Sequence, residues 1–210
     1  KWAQTNRSIL RATMSTSTTH IETKKQLVPE LRFNKFDGEW KKTTVGDNCL
    51  VKGRIGYRGY TKSDLVKEGE GVYVLGGKHI QKSKLDLLKP TFLSFDKYYE
   101  SPEIMVQKNN IIFSQRGTLG ECALIEEEIG KATINPSMVL IKEIKCNVKF
   151  FYYILTGNEI KKEVGRVSTS SAIPMISQKQ IKEFEFNCPT LPEQQKIASF
   201  LSAVDEKIQQ

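Results

Sequence analysis

The sequence predicts an α+β fold, strand-rich with peripheral helices and closed by a long helix. Short apolar runs of strand length recur between turn residues, at Val72–Leu75, Asn110–Ser114, Cys122–Glu126 and Met138–Glu143. Strands and helices do not alternate regularly, which argues against a doubly wound parallel sheet. The chain ends on a helical pattern that sets Ile197, Phe200, Leu201, Val204 and Ile208 on one face.

The elements follow in order. Residues 1–27 read as a tag-like or disordered lead: the first twenty hold eight Ser/Thr, three basic residues and no acid. The folded domain is expected over 28–189. Trp40–Leu50 predicts a helix end or a turn and then a first strand. Glycines 53, 56 and 59 punctuate a basic loop, Lys52–Lys62. Val72–Leu75 is a strand stopped by Gly76-Gly77. Lys84–Leu88 predicts one helical turn before Pro90. Asn110–Ser114 and Cys122–Glu126 read as paired strands with Arg116–Gly120 turning between them, and Met138–Glu143 as another strand. Asn147 is placed to cap a helix whose face is Val148, Phe151, Tyr152 and Leu155. Gly165–Ala172 predicts a polar loop. Ser177 caps a short turn, and Phe184, Phe186 and Cys188 alternate as a last strand. Over 190–210, Thr190 and Glu193 have capping-box spacing, and Pro192 falls in the first turn, where its missing N–H costs nothing. The 4-3-4 step of Ile197, Leu201, Val204 and Ile208 is a heptad seam, which asks for a partner helix.

At 210 residues, 39% hydrophobic and 27% charged, the chain has the size and composition of a soluble domain with one good core. It has no apolar run long enough to span a membrane and no apolar leader, so a cytoplasmic protein is expected. Its four cysteines have no C-x-x-C spacing, which favours reduced core thiols over disulfides or zinc. The net charge of +8 suits a polyanion. Residues 51–90 hold nine Lys/Arg against four acids, whereas 121–128 hold four glutamates and no base.

Catalytic patterns are weak. Asn135-Pro136-Ser137-Met138 is similar to the Asn-Pro-Pro-aromatic motif of adenine methyltransferases, but lacks the second proline and the aromatic. A turn entering a strand explains it better. Glu143-Ile-Lys145 has no Pro-Asp partner of the nuclease pattern. Gly76-Gly77-Lys78-His79 lacks the frame of a phosphate loop. No metal site and no cofactor are expected in the chain itself.

Recognition patterns are stronger. In the 52–62 loop, Arg54 and Arg58 have the fork geometry for guanine O6/N7. Tyr57 and Tyr60 offer faces for sugars or bases, and Lys62 adds charge. A solvated basic loop is the plainer alternative. Lys78 and His79 read equally as a DNA-touching loop or a strand-ending turn. Lys82 and Lys84 are candidates for phosphate contacts. Arg116 either contacts DNA or shapes its turn. Arg166, Ser168, Thr169 and Ser170 offer phosphate contacts or form a polar loop.

Four segments in order carry a family resemblance: Val28–Phe33 with Gly38-Glu39-Trp40, Ile111–Gly120 followed by Ala132–Met138, Thr169–Ser177, and Pro189–Ile208. Together they resemble a target-recognition domain of the specificity subunit of type I restriction-modification enzymes, with the start of the conserved helix. The resemblance implies sequence-specific binding of double-stranded DNA, one half of a bipartite site per domain. It implies a non-catalytic chain that docks methylation subunits carrying S-adenosylmethionine, later joined by a restriction subunit. Ile197, Leu201, Val204 and Ile208 would then meet a partner helix, from a second domain, a second copy or a methylation subunit. Two other readings stay open: the recognition half of a stand-alone DNA methyltransferase or restriction enzyme, and a general protein-interaction module.

Overall fold

The computed structural model describes Pro29, residues 31–168 and residues 174–209. The lead 1–27 therefore lies outside the described residues. In order, the elements are β1 (Lys41–Thr44), α1 (Val45–Asn48), β2 (Leu50–Gly53), β3 (Leu65–Val66), β4 (Gly71–Leu75), β5 (Ile80–Gln81), β6 (Lys84–Leu85), β7 (Phe92–Ser94), α2 (Phe95–Tyr99), β8 (Ile111–Ser114), β9 (Cys122–Leu124), β10 (Ala132–Ile134), β11 (Met138–Lys142), α3 (Val148–Thr156), α4 (Asn158–Ser168), α5 (Gln178–Glu183), β12 (Glu185–Cys188) and α6 (Leu191–Gln209). The architecture is mixed α and β, as expected. No described helix is long and apolar enough to cross a membrane.

The central sheet is four-stranded and antiparallel, in the order β2-β11-β8-β9. Its strands are apolar on both faces, and side-chain alternation explains why. Val51, Ile111, Phe113, Val139 and Ile141 face one side, where Phe150, Phe151 and Leu155 of α3, Ile160 and Val164 of α4 and Ile181 of α5 cover them. Ile112, Ala123, Met138 and Leu140 face the other side and meet Leu75, Ala132 and Ile134. Those residues belong to a second four-stranded sheet, β10-β4-β7-β3, in which only β10 and β4 run parallel. Its outer face packs Val72, Val74 and Leu93 against Tyr98 of α2. A layer of helices, two sheets and a small outer helix thus follow one another.

The first and last strands are tied together. β1 pairs antiparallel with β12, and Phe186 of β12 sits edge-on to Phe151, 5.6 Å between ring centres. Removing so buried a ring, as in Phe151→Ala, costs about 3–5 kcal/mol.

Local signals hold at several ends. Asn147 accepts from the Phe150 amide at 2.9 Å and caps α3. Ser177 and Gln180 form a capping box at α5. Asn135 Oδ1 accepts from the Ser137 amide and hydroxyl, at 3.0 and 2.6 Å, and so makes the turn into β11.

Four expectations are corrected. The first strand begins earlier, at Lys41, ahead of the short helix α1. Lys84–Leu88 is not a helical turn: β5 and β6 form a hairpin whose corner residues Lys82 and Ser83 both have positive φ, 51° and 62°. That corner is a tight turn lacking the usual Asn-Gly signal. Gly165–Ser168 is not loop but the last turn of α4, which Val164 anchors in the core. Glu193 does not turn back to residue 190: its carboxylate oxygens accept from Arg32 Nε and Nη2, both at 2.7 Å, and from Trp40 Nε1 at 3.3 Å.

Candidate nucleic-acid interface

Strands of both sheets end on one rim. Residues 54–62 follow β2, 76–79 follow β4, 115–121 join β8 to β9, 135–137 join β10 to β11, and 174–177 lead into α5. Hydrogen bonds lace these segments together. The amides of Gln115 and Arg116 donate to the Ser137 carbonyl at 2.9 and 3.2 Å, and the Ile176 amide donates to the Gln115 carbonyl at 3.0 Å. The Asn135 amide donates to the Leu75 carbonyl at 2.8 Å. Gly76 is required here, because a Cβ at that position would stand 2.4 Å from Asn135 Nδ2. The turn at 115–121 relies on Gly117 and Gly120, both left-handed at φ 78° and 80°.

Side chains of the 54–62 loop divide between inside and outside. Arg54 points in. Its guanidinium donates to Thr133 Oγ1 at 3.0 Å, to Ser101 Oγ at 3.2 Å, and to the Ile134 and Arg58 carbonyls at 3.3 Å. It also lies 5.2 Å from the centre of the Tyr60 ring. Burial pulls its pKa below the ordinary arginine value, while Tyr60 and Glu103 pull it back. Arg54 and Tyr60 therefore build the loop, and the guanine-reading role expected of Arg54 is corrected. Arg58 stands at the edge, 3.3 Å from Glu103 and 5.5 Å from the centre of the Tyr57 ring. Tyr57 is 82% exposed, and Lys62 is exposed at the start of a 3₁₀ turn.

The remaining candidates also separate. Lys78 is exposed on the rim and donates to Thr91 Oγ1 at 2.7 Å. His79 is only 2% exposed, so its expected DNA contact is corrected. Its Nδ1 accepts from the Gly76 amide at 2.9 Å, which leaves Nε2 to donate to the Lys89 carbonyl at 3.1 Å. Burial lowers its pKa and keeps the ring neutral. Arg116 is exposed on the rim, with Nε 2.9 Å from Met175 Sδ. Arg166 is exposed near the end of α4 and pairs with Glu163 one turn back. Ser168 closes α4, while Thr169 and Ser170 lie outside the described residues.

Lys82 and Lys84, the candidates for phosphate contacts, lie on the β5–β6 hairpin apart from the rim. Their hairpin leans on α3, where Tyr152 donates its hydroxyl to the Ser83 carbonyl at 2.6 Å. Lys84 faces a cleft of about 550 Å³ that Glu126, Glu127, Asp205 and Glu206 also line. Sequence reading missed Thr118, Ser101 and Glu103. Thr118 is exposed in the 115–121 turn, beside Gly77. Ser101 and Glu103 reach the loop from 47 and 45 residues away, and no local pattern announces that.

At α6 the inward face is small and polar. Ala198 is buried, Gln194 accepts from the Asn147 amide at 2.9 Å, and Tyr153 donates to Asp205 at 2.8 Å. The heptad seam is divided, and its first residue, Ile197, also packs on the core beneath α3. Ile197 and Leu201 are half-buried beside Trp40 and Phe33, which meets Phe200 edge-on at 5.8 Å. Val204 is half-buried and Ile208 is 76% exposed.

All four cysteines are free thiols, and burial pushes those of Cys49, Cys122 and Cys146 up to about 12. At neutral pH these are packing groups rather than nucleophiles. Among the described residues no group of three His, Cys, Asp or Glu is placed to hold a metal ion.

Residues 37–210 match a family model, the type I restriction modification DNA specificity domain. Solved structures share the fold. One comes from work on complex assembly and conformational transition of the type I R-M system, with TM-score 0.63 and 15% identity over 83% of this chain and 41% of that one. The HsdS subunit from Thermoanaerobacter tengcongensis gives 0.59 and 15% identity, over 87% of this chain and 41% of that one. The type I restriction-modification S subunit from M. genitalium gives 0.56 and 21%, over 87% and 43%. The chain therefore spans less than half the length of each of these relatives.

Proposed function

Because the chain belongs to the type I restriction-modification DNA specificity family, we propose that its domain reads one half of a bipartite site in double-stranded DNA. The observation that carries this is the rim. Loops from two sheets converge there and present Arg58, Lys78 and Arg116 with the exposed ring of Tyr57. Arginine at the edge of a loop supplies the forked donors that a guanine edge accepts, and lysine and backbone amides suit phosphates. Internal cross-links hold the rim rigid, so the fork arrives already oriented.

We propose further that the chain itself does no chemistry. Methyl transfer would come from methylation subunits carrying S-adenosylmethionine, and cleavage from a restriction subunit. The Asn135 Oδ1 that would hold a flipped base is spent on the Ser137 amide and hydroxyl, and its Nδ2 lies against Gly76, which supports this. Val204 and Ile208 of α6 would pack on a partner helix. α6 meets its own domain through Ala198, Gln194, Ile197 and Asp205 and leaves Val204 half-buried and Ile208 exposed, which supports such packing.

The test is binding of the full chain to a pool of duplexes with a randomised stretch. Enrichment of one short, defined sequence is expected, with affinity falling steeply as salt rises. Salt-dependent binding without enrichment would reduce the domain to a general polyanion binder. Absence of any binding would favour the protein-interaction reading.

A further inference from the structure

Residues 101–103 hold both arginines of the 54–62 loop, and hold them differently. Ser101 is fully buried and helps pin Arg54 inward. Glu103 meets Arg58 by one contact only, Oε2 to Nη1 at 3.3 Å. Its other oxygen, Oε1, is buried and has no hydrogen-bond partner. The Arg58 and Glu103 side chains are 34% and 20% exposed, so the pair sits at the lip of the rim. Burying a carboxylate oxygen without a protein partner is costly, so its place at the rim calls for an explanation.

A carboxylate at this place has two physical effects. It fixes the direction of Arg58, whose guanidinium is already seated over the Tyr57 ring. It also sets a negative charge beside the cation that would otherwise pair with any phosphate. A single phosphate oxygen gains little by competing with it. A guanine edge with two acceptors, O6 and N7, uses the remaining fork and gains more.

We propose that Glu103 is a positioning residue for sequence reading: it orients Arg58 and disfavours backbone phosphate, lowering affinity for DNA at large and raising selectivity at one base pair. The proposal rests on the reading of the rim as a DNA-reading surface.

The experiment uses the full chain and the same randomised duplex pool at fixed salt. The variants are Glu103→Gln, Glu103→Asp, Arg58→Ala and the double variant Arg58→Ala/Glu103→Gln, each with a thermal melt to follow folding. Glu103→Gln is expected to bind the unselected pool severalfold tighter, while preference at one base pair falls about tenfold. Glu103→Asp should keep part of that preference. Arg58→Ala should lose it at the same base pair, and the double variant should lose no more than Arg58→Ala, since Glu103 acts through Arg58. If Arg58→Ala loses preference but Glu103→Gln keeps both the preference and the pool affinity of the natural sequence, the proposal is overturned and the rim reading stands. A lowered melting temperature for Glu103→Gln with preference intact marks a structural role and also overturns it. A natural chain with no preference for any sequence removes the rim reading and the proposal together.

Discussion

Replacing Arg54 by alanine should unfold the domain more easily rather than merely weaken reading. The Arg54 guanidinium joins Ser101, Thr133 and the Ile134 and Arg58 carbonyls in one set of hydrogen bonds. Ser101 and Thr133 are both fully buried. Hydrogen bonds to a charged group contribute about 1.5–3 kcal/mol each, but four of the five contacts here are 3.2–3.3 Å and share one desolvated cation. A net loss of about 3 kcal/mol is a reasonable total for breaking such a part-buried network. In a domain of this size that lowers Tm by about 6–12 °C. Arg54→Met keeps the stem and should show most of the loss. Arg54→Lys keeps the charge but lacks the planar fork, and should fall between. Circular dichroism melts and urea titrations of the three variants measure this. A melting temperature within about 2 °C of the natural sequence, together with lost sequence preference on duplex DNA, would refute the reasoning and return Arg54 to the reading role.

Three further outcomes are expected. His79 is buried with a lowered pKa, so below its unfolded value near 6.5 the unfolded chain binds the proton more readily. Its share of stability is complete above that pH and is lost as pH falls toward the folded value. Melts at pH 7.5 and 5.5 should separate more for the natural chain than for His79→Gln. Lys82→Ala should leave duplex affinity and its salt slope unchanged, whereas Lys78→Ala should weaken all duplexes alike and flatten the slope, as filter binding across salt would record. Val204→Asp with Ile208→Asp should abolish association through α6 while the melt of the domain survives; sedimentation showing a monomer at every concentration for natural and altered chains alike, with no methylation subunit bound, would contradict the role of the seam.

What was legible in the sequence was whatever depends on neighbours in the chain. The apolar runs in Ile111–Ser114 and Met138–Lys142, the Asn147 cap and the Ser177 cap are all local, and they appear where the sequence puts them. What failed was decided by distant partners. Arg54 has the residue type and loop position of a base reader, but the Ile134 carbonyl, 80 residues on, takes it inward. Glu193 has capping-box spacing, but Arg32, 161 residues away, binds its carboxylate more strongly than an amide would. The Lys82-Ser83 corner adopts left-handed backbone that neither residue prefers, because the hairpin is fixed by its packing on α3. Gly165 sits in a helix in spite of its propensity, since Val164 beside it is in the core. The rim as a whole could not be read from the chain, because it is assembled from five separate segments.

The central claim is that this rim, and no other face, meets DNA. Hydroxyl-radical footprinting of the protein surface, with and without the duplex enriched from the randomised pool, tests it most directly. Protection is expected at Tyr57, Arg58, Lys78 and Arg116, with Lys82 and Ile208 as reactive as in the free chain. Protection of the Lys82 hairpin and α6, with Tyr57 and Arg116 left reactive, would contradict the account.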